Sequence, residues 1–284
     1  MIEFKDRVAI VTGAGRGLGA EHARLLASRG AKVVVNDPGG SVNGIDDGSR
    51  PADEVVAGIV AAGGAAVADY HSVADPESGE AIVARAVDEY GKVDILVNNA
   101  GILRDRAFHN MALEDIHAVL DVHLRGAFYV TQPAIRVMRE HGYGRIVLTS
   151  SASGVLGNFG QSNYGAAKAG IAGMTRCMAL EGQKYGIRCF ILAPVALSRL
   201  TEDLPGFQDE GFKAKMDPKL ISPLVTYLAS DLAKDMTNKT FFVGGGRIAE
   251  MKVVTATGIT KTDGGGLWTP QEVSEKMSGI LLPE

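Results

Sequence analysis

Val8-Ala9-Ile10-Val11-Thr12-Gly13-Ala14-Gly15-Arg16-Gly17-Leu18-Gly19 carries a short β-branched apolar run into a glycine cluster and then into helical spacing that extends from Leu18 to Arg29. Strand, tight glycine turn and helix in that order form the unit from which parallel sheets are built. The start of the unit recurs: Lys32 to Val35 precedes Gly39, and Asp94 to Val97 precedes Gly101. Helical spacing returns over Pro51 to Ala62, Ser78 to Tyr90, Glu114 to Arg139, Tyr164 to Tyr185 and Pro218 to Ser230. Further strands are expected at Ala65 to Ala68, Arg145 to Ser150, Ile187 to Leu192 and Phe241 to Val243. That makes about seven, nearly continuous in hydrophobicity, as parallel strands buried on both faces are. The expected fold class is α/β, a doubly wound parallel sheet. It occupies one domain over residues 1–250, and residues 251–284 form a C-terminal extension too short for an independent domain.

Composition narrows the function. The chain has 284 residues, 46% hydrophobic and 22% charged, which are globular proportions and exclude a disordered or collagenous chain. A formal charge of −4 supplies no basic surface for a phosphate backbone, so no nucleic-acid partner is expected. Cys177 and Cys189 are too few for a disulfide framework or a thiolate metal site; no metal is expected, and a reducing compartment is. No apolar stretch reaches the ~18–20 residues that span a bilayer. The first residues lack a leader pattern, and Leu281-Leu282-Pro283-Glu284 is not a peroxisomal address. A cytoplasmic protein without a membrane partner is expected.

The 36 glycines matter through their positions. In the turn over Gly13, Gly15, Gly17 and Gly19, beside Arg16 and Leu18, glycine lets the backbone approach a pyrophosphate, whose charge then sits at a helix N-terminus. Asp37, at the end of the second strand, suits the adenosine ribose hydroxyls and repels a 2′-phosphate, which selects NAD. Arg16 reads either as a cation for a 2′-phosphate or as a solvated helix-start residue, and the carboxylate decides for NAD. The polar stretch from Pro38 to Ser49 is long for its place and reads either as a surface insertion or as a ligand-facing loop.

Tyr164 and Lys168 are four residues apart, so on a helix they share a face, where an ammonium can stabilise a phenolate. With seven tyrosines among the 284 residues, such a pair by itself is close to chance. Its weight comes from Ser151, which lies at the end of the fifth strand, on the sheet edge where the glycine turn also opens.

These residues identify a family. Thr12-Gly13-x-x-x-Gly17-x-Gly19, Asn98-Asn99-Ala100-Gly101, and Ser151 followed by Tyr164-x-x-x-Lys168 resemble the short-chain dehydrogenases/reductases over residues 1 to about 250. Val35 to Gly40, Asn98 to Arg106, Val122 to Gly126, Thr149 to Gly154 and Gly157 to Gln161 resemble the (3R)-hydroxyacyl-CoA dehydrogenase units of the type 2 multifunctional enzymes, also called type 4 17β-hydroxysteroid dehydrogenases. The resemblance implies a Rossmann-like sheet of order 3-2-1-4-5-6-7 and oxidation of a (3R)-hydroxyacyl-CoA to the 3-ketoacyl-CoA with NAD. Tyr164 is then the base, Lys168 its electrostatic partner and ribose ligand, and Ser151 the holder of the substrate oxygen. Asn99, Ala100 and Gly101 line the cofactor ribose, and Pro194, Val195 and Ala196 pack on the carboxamide. His123 stands where most relatives have an asparagine that shapes a helix kink, and reads either as an auxiliary catalytic group or as structural. His71 replaces an aspartate beside the adenine, which leaves Ser72 and Val73 to contact the base.

Leu200 to Asp217 is expected to be a substrate lid. The resemblance also implies a homo-oligomer, dimer or tetramer, built on the helices over Glu114 to Arg139 and Tyr164 to Tyr185. The alternatives are a steroid dehydrogenase, an NADPH-dependent 3-ketoacyl reductase and a nucleotide-sensing regulator. A sensor needs only the cofactor pocket, and the intact Ser151, Tyr164 and Lys168 weigh against it.

Overall fold

Five consecutive buried residues, Val8–Thr12, form β1. It pairs in parallel with β2 (Lys32–Asn36) on one side and β4 (Ile95–Asn98) on the other, Val11 lying opposite Val35 and Val97. This is a computed structural model, and it describes residues 2–196 and 216–282 apart from 42, 44, 46 and 47. Beyond β2 lies β3 (Ala65–Asp69); beyond β4 lie β5 (Gly144–Thr149), β6 (Ile187–Val195), β7 (Lys239–Gly244) and β8 (Arg247–Met251), in the order 3-2-1-4-5-6-7-8. The expected order of seven parallel strands is present, and an antiparallel eighth strand extends it. Gly245 and Gly246, with φ of 58° and 79°, make the two-residue turn that reverses the chain between β7 and β8. As an edge strand with one exposed row, Arg-Ile-Ala-Glu-Met shows no apolar run by which it could be expected.

The helices cover both faces. On one side α1 (Gly17–Ser28), α2 (Pro51–Ala61) and α8 (Ser222–Ala229) pack Leu26, Val55, Ile59 and Val225 against Val11, Val33 and Val97. On the other, α3 (Pro76–Tyr90), α5 (Gly126–His141) and α7 (Ser162–Gly182) pack Ile82, Val130, Met138 and Ile171 against Ile10, Leu96 and Leu148. Alternate residues of each central strand thus feed opposite cores, which is why the strands read as continuous apolar runs. Helix α3 starts on a capping residue, Asp75, whose carboxylate accepts the Ser78 N–H at 2.8 Å, with Pro76 in the first turn.

The helix expected over Glu114 to Arg139 is not continuous. It is α4 (Leu113–Leu120), a π-helical turn over Asp121–Arg125, and α5. One residue inserted into a helical ladder does not disturb apolar periodicity enough to be read from sequence. After the short α6 (Ser153–Leu156), helix α7 extends to Gly182 and closes with a short 3₁₀ turn, Gln183–Tyr185.

The chain divides into two compact units, Met1–Glu250 and Met251–Glu284. The second holds α9 (Pro270–Ile280), which begins on a capping box of Thr269 and Glu272; the same Glu272 carboxylate takes Lys261 Nζ at 2.7 Å. Among the described residues no helix is long and apolar enough to cross a membrane.

Candidate active site

A cavity of about 540 Å³ opens along the C-terminal edge of the sheet. Its wall takes Gly13, Arg16, Gly17 and Leu18 from the turn after β1, and Asp37 from the end of β2. Ser72 and Val73 follow β3; Asn99, Ala100 and Gly101 follow β4; Ser151 follows β5; and Pro194, Val195 and Ala196 close β6. His123 enters from the π turn, Tyr164 and Lys168 from α7. Gly15 and Gly19, expected to face a cofactor, lie outside the wall. A Cβ on Gly15 would stand 2.6 Å from Pro51 Cγ, and one on Gly19 would stand 2.2 Å from the Gly13 carbonyl oxygen. These two glycines let the turn fold on itself. Of the expected lid, all but Met216 and Asp217 lies outside the described residues.

At one end of the cavity the chain is prepared for an anion. Arg16, extended at the N-cap of α1, makes no side-chain capping bond, and no acidic residue stands in the first turn, so the helix presents backbone N–H groups at the cavity wall through Gly17 and Leu18. The Arg16 guanidinium turns to the neighbouring loop, reaching Gly40 O at 3.4 Å and Ser49 Oγ at 3.2 Å. Asp37 is held from two sides: its oxygens accept the N–H of Gly15 at 2.8 Å and of Gly39 at 2.9 Å. Pro38, Gly39 and Ser41 join the wall, so the described start of that long loop faces the cavity. Asn99 braces the turn, its amide donating to Thr12 O and Gly13 O at 3.1 and 3.0 Å, while Thr12 Oγ1 accepts the N–H of Asn99 at 3.0 Å. His71 is not in the wall. Its Nδ1 lies 2.9 Å from the buried Asp69 carboxylate, and Val73 packs on Gly126, whose Cβ would stand 2.9 Å from it.

Elsewhere in the wall stand Ser151, Tyr164, Lys168 and His123. Lys168 is buried, and its Nζ donates to Thr149 O at 2.6 Å; burial brings its pKa down to about 7. Burial pushes the Tyr164 phenol above its ordinary value, while a hydrogen bond with Ser151 pulls the other way. Lys168 Nζ lies 5.4 Å from the Tyr164 ring centre and does not reverse that rise. The protein groups alone leave the Tyr164 phenol above its ordinary value. His123 sits edge-on to Tyr164 with ring centres 5.1 Å apart. Its Nε2 meets the Ile102 backbone, 2.8 Å from the carbonyl oxygen and 3.1 Å from the nitrogen. Burial, reinforced by the charge of Lys168, holds the imidazole pKa well below 6.5, so His123 is neutral near pH 7. Gly101 makes room for it: a Cβ there would lie 2.3 Å from His123 Cε1.

Among the polar wall residues to which the sequence assigned no individual role are Asp105 and Gln161, whose side chains meet at 2.7 Å. Gln161 had a signal, since positions 161, 164 and 168 share one helical face. Asp105, between two arginines, had none. The cavity also holds two buried polar atoms with no hydrogen-bond partner among the described residues, Thr149 Oγ1 and His123 Nδ1. The uncapped helix start and the fixed Asp37 in the wall fit an elongated polar ligand such as a nicotinamide dinucleotide.

A family model described as short chain dehydrogenase matches residues 7–203. A Mycobacterium tuberculosis protein named as a short-chain type dehydrogenase/reductase is 48% identical over 244 residues, 86% of this chain and 84% of that protein. Peroxisomal multifunctional enzyme type 2 of Mus musculus is 45% identical over 280 residues, covering 98% of this chain and 37% of that one. This chain thus spans well under half of that relative's length. Among solved structures, a short chain dehydrogenase from Mycobacterium avium superposes with a TM-score of 0.85 at 41% identity, over 98% of this chain and 97% of that one.

Proposed function

The chain belongs to the short-chain dehydrogenase family, and from that premise we propose that it oxidises a (3R)-hydroxyacyl-CoA to the 3-ketoacyl-CoA with NAD. The observation that carries this reading is the joining of Ser151, Tyr164 and Lys168 to the glycine turn and Asp37 in one cavity. Asp37 supports NAD: it stands fixed where a 2′-phosphate would meet its charge, and Arg16, the cation that would favour NADP, is engaged with Gly40 and Ser49. The substrate class is supported by similarity to the multifunctional enzyme over 98% of this chain.

Gly13, Gly17 and Leu18 would hold the pyrophosphate, Asp37 the adenosine ribose, and Lys168 the nicotinamide ribose. The bound oxidised nicotinamide supplies the hydride acceptor and a positive charge beside the phenol. Ser151 Oγ hydrogen-bonds the substrate oxygen and fixes its approach. Tyr164 takes the hydroxyl proton. A phenol of ordinary pKa near 10 must fall by roughly 3 units to work as a base at neutral pH, about 4 kcal/mol of differential stabilisation. Burial in this site moves Tyr164 upward; the Ser151 hydrogen bond, the Lys168 ammonium and the positive charge that a bound oxidised nicotinamide would bring all act in the lowering direction.

Exposed Phe128 on α5 and Leu180 on α7 support a homo-oligomer contact on these helices, which sedimentation checks. The two free cysteines, Cys177 and Cys189, support a reducing compartment such as the cytoplasm. The deciding assay is the initial rate of nicotinamide reduction with NAD⁺ and NADP⁺ in parallel, offered (3R)-3-hydroxybutyryl-CoA, its (3S) epimer and a 17β-hydroxysteroid. NADH formation with the (3R) thioester is the expected result. Turnover of the steroid alone, or of NADP⁺ alone, overturns the substrate or the cofactor assignment respectively.

A further inference from the structure

Asp105 is a charged group of the cavity that the proposed reaction does not use. It lines the wall with Ser151 and Tyr164, and its Oδ2 accepts a 2.7 Å hydrogen bond from Gln161 Nε2. Gln161 is not free to turn. Its Oε1 already accepts from Ser153 Oγ at 2.8 Å and Asn158 Nδ2 at 3.1 Å, so its amide nitrogen must face the carboxylate. Ser153 in turn donates its backbone N–H to Ser151 Oγ at 3.2 Å. The chain Asp105, Gln161, Ser153, Ser151 therefore fixes the carboxylate in the same half of the cavity as the residue that meets the substrate oxygen. The Arg106 N–H, bonded to Gly160 O at 2.8 Å, ties the two segments together a second time.

The charge on Asp105 is not neutralised. The neighbouring Arg104 guanidinium is spent on Asp115 and on the Asn43 carbonyl, and among the described residues no cation lies within ion-pairing distance of Asp105. Burial moves its carboxyl upward, as an uncompensated charge requires, and the Gln161 bond opposes the rise. Asp105 is exposed on the open side of the cavity wall, and a second anion brought close to it meets direct repulsion.

We propose that Asp105 is a specificity-determining residue: its fixed carboxylate, without an ion-pair partner among the described residues, admits substrates that are neutral around the reacting carbon and turns away those that carry a free carboxylate or phosphate there. This deepens the proposed function and rests on it, since a 3-hydroxyacyl thioester is neutral where the parent hydroxy acid is an anion. Gln161 is the positioning residue that holds the carboxylate in place.

The test is a ligand-observed NMR titration of the NADH-loaded protein with acetoacetate and with methyl acetoacetate, which differ in charge and little in shape. Wild type is expected to bind the ester ~10-fold or more tighter than the acid, and Asp105→Asn to bring the two within about threefold. Asp105→Ser, in case the amide disturbs the Gln161 contact, should do the same. An unchanged ratio in both variants overturns the proposal, as does wild type that binds acid and ester equally or binds neither. Turnover of (3R)-3-hydroxybutyryl-CoA is measured alongside. Its absence, with the ester preference present and lost on substitution, sinks the substrate assignment and leaves Asp105 standing; its presence with an unchanged ratio sinks Asp105 alone.

Discussion

His22 on α1 makes the stability of the nucleotide-binding half depend on pH. The ring is fully buried; Nδ1 meets Ser222 Oγ of α8 at 2.8 Å, and Nε2 has no partner among the described residues. Burial lowers its pKa from 6.5 to about 3. Above pH 6.5 neither the native nor the unfolded imidazole holds a proton, and the group adds no pH dependence. Between 6.5 and 3 the unfolded chain binds a proton that the native state refuses, so stability falls as pH falls. At pH 5 the unfolded imidazole is nearly all charged, and at about 1.4 kcal/mol per pH unit the loss is about 2 kcal/mol. The perturbation is His22→Asn, whose amide keeps an atom near Ser222 and cannot titrate. Urea unfolding of both proteins at pH 7.5 and pH 5 gives the answer as a difference of differences. The packing cost of the smaller side chain is the same at both pH values and cancels, and His123, whose pKa is also lowered, is common to both proteins. Wild type should lose about 2 kcal/mol more than the variant on acidification. Equal losses would refute the assignment of a neutral, buried His22.

Further outcomes follow from the site. Tyr164→Phe should lower kcat by about 10²–10⁴-fold, with cofactor affinity measured by fluorescence titration changed by less than about threefold. Gly101→Ala drives a methyl into His123 Cε1, so a loss of ~1–3 kcal/mol in urea unfolding is expected together with a lower kcat, because the ring that packs against Tyr164 must move. Asp37→Ser should raise kcat/KM for NADP⁺ relative to NAD⁺ by ~10-fold or more, read from parallel initial rates; an unchanged ratio places the discrimination elsewhere.

What could be read from the chain alone follows the range of the interactions. The alternation of apolar runs and helical spacing, the turn over Gly13 to Gly19, and the pairing of Tyr164 with Lys168 are set by neighbours a few residues apart, and each was legible. The positions of most expected site residues in one cavity followed because a parallel sheet brings the ends of β1, β2, β4 and β5 to one edge. Periodicity showed neither the π turn at Asp121–Arg125, where the resemblance alone pointed to a kink around His123, nor the edge strand Arg247–Met251: one inserted residue barely alters a 3.6-residue period, and an exposed edge strand carries no apolar run.

The chemistry of individual groups divides in the same way. The resemblance carried by residue types and spacing led to the expectation that Ser151, Tyr164 and Lys168 share one site with the glycine turn, and all three line the cavity beside Gly13 and Gly17. Only the tertiary structure placed Gly13 and Gly17 in the cavity wall and set Gly15 against Pro51 and Gly19 against the Gly13 carbonyl. It also decided that Tyr164 is raised and Lys168 lowered in pKa, and that Asp105 is held by Gln161 56 residues away. Desolvation and long-range contact are properties of what surrounds a side chain, and those surroundings exist only once distant segments have packed together.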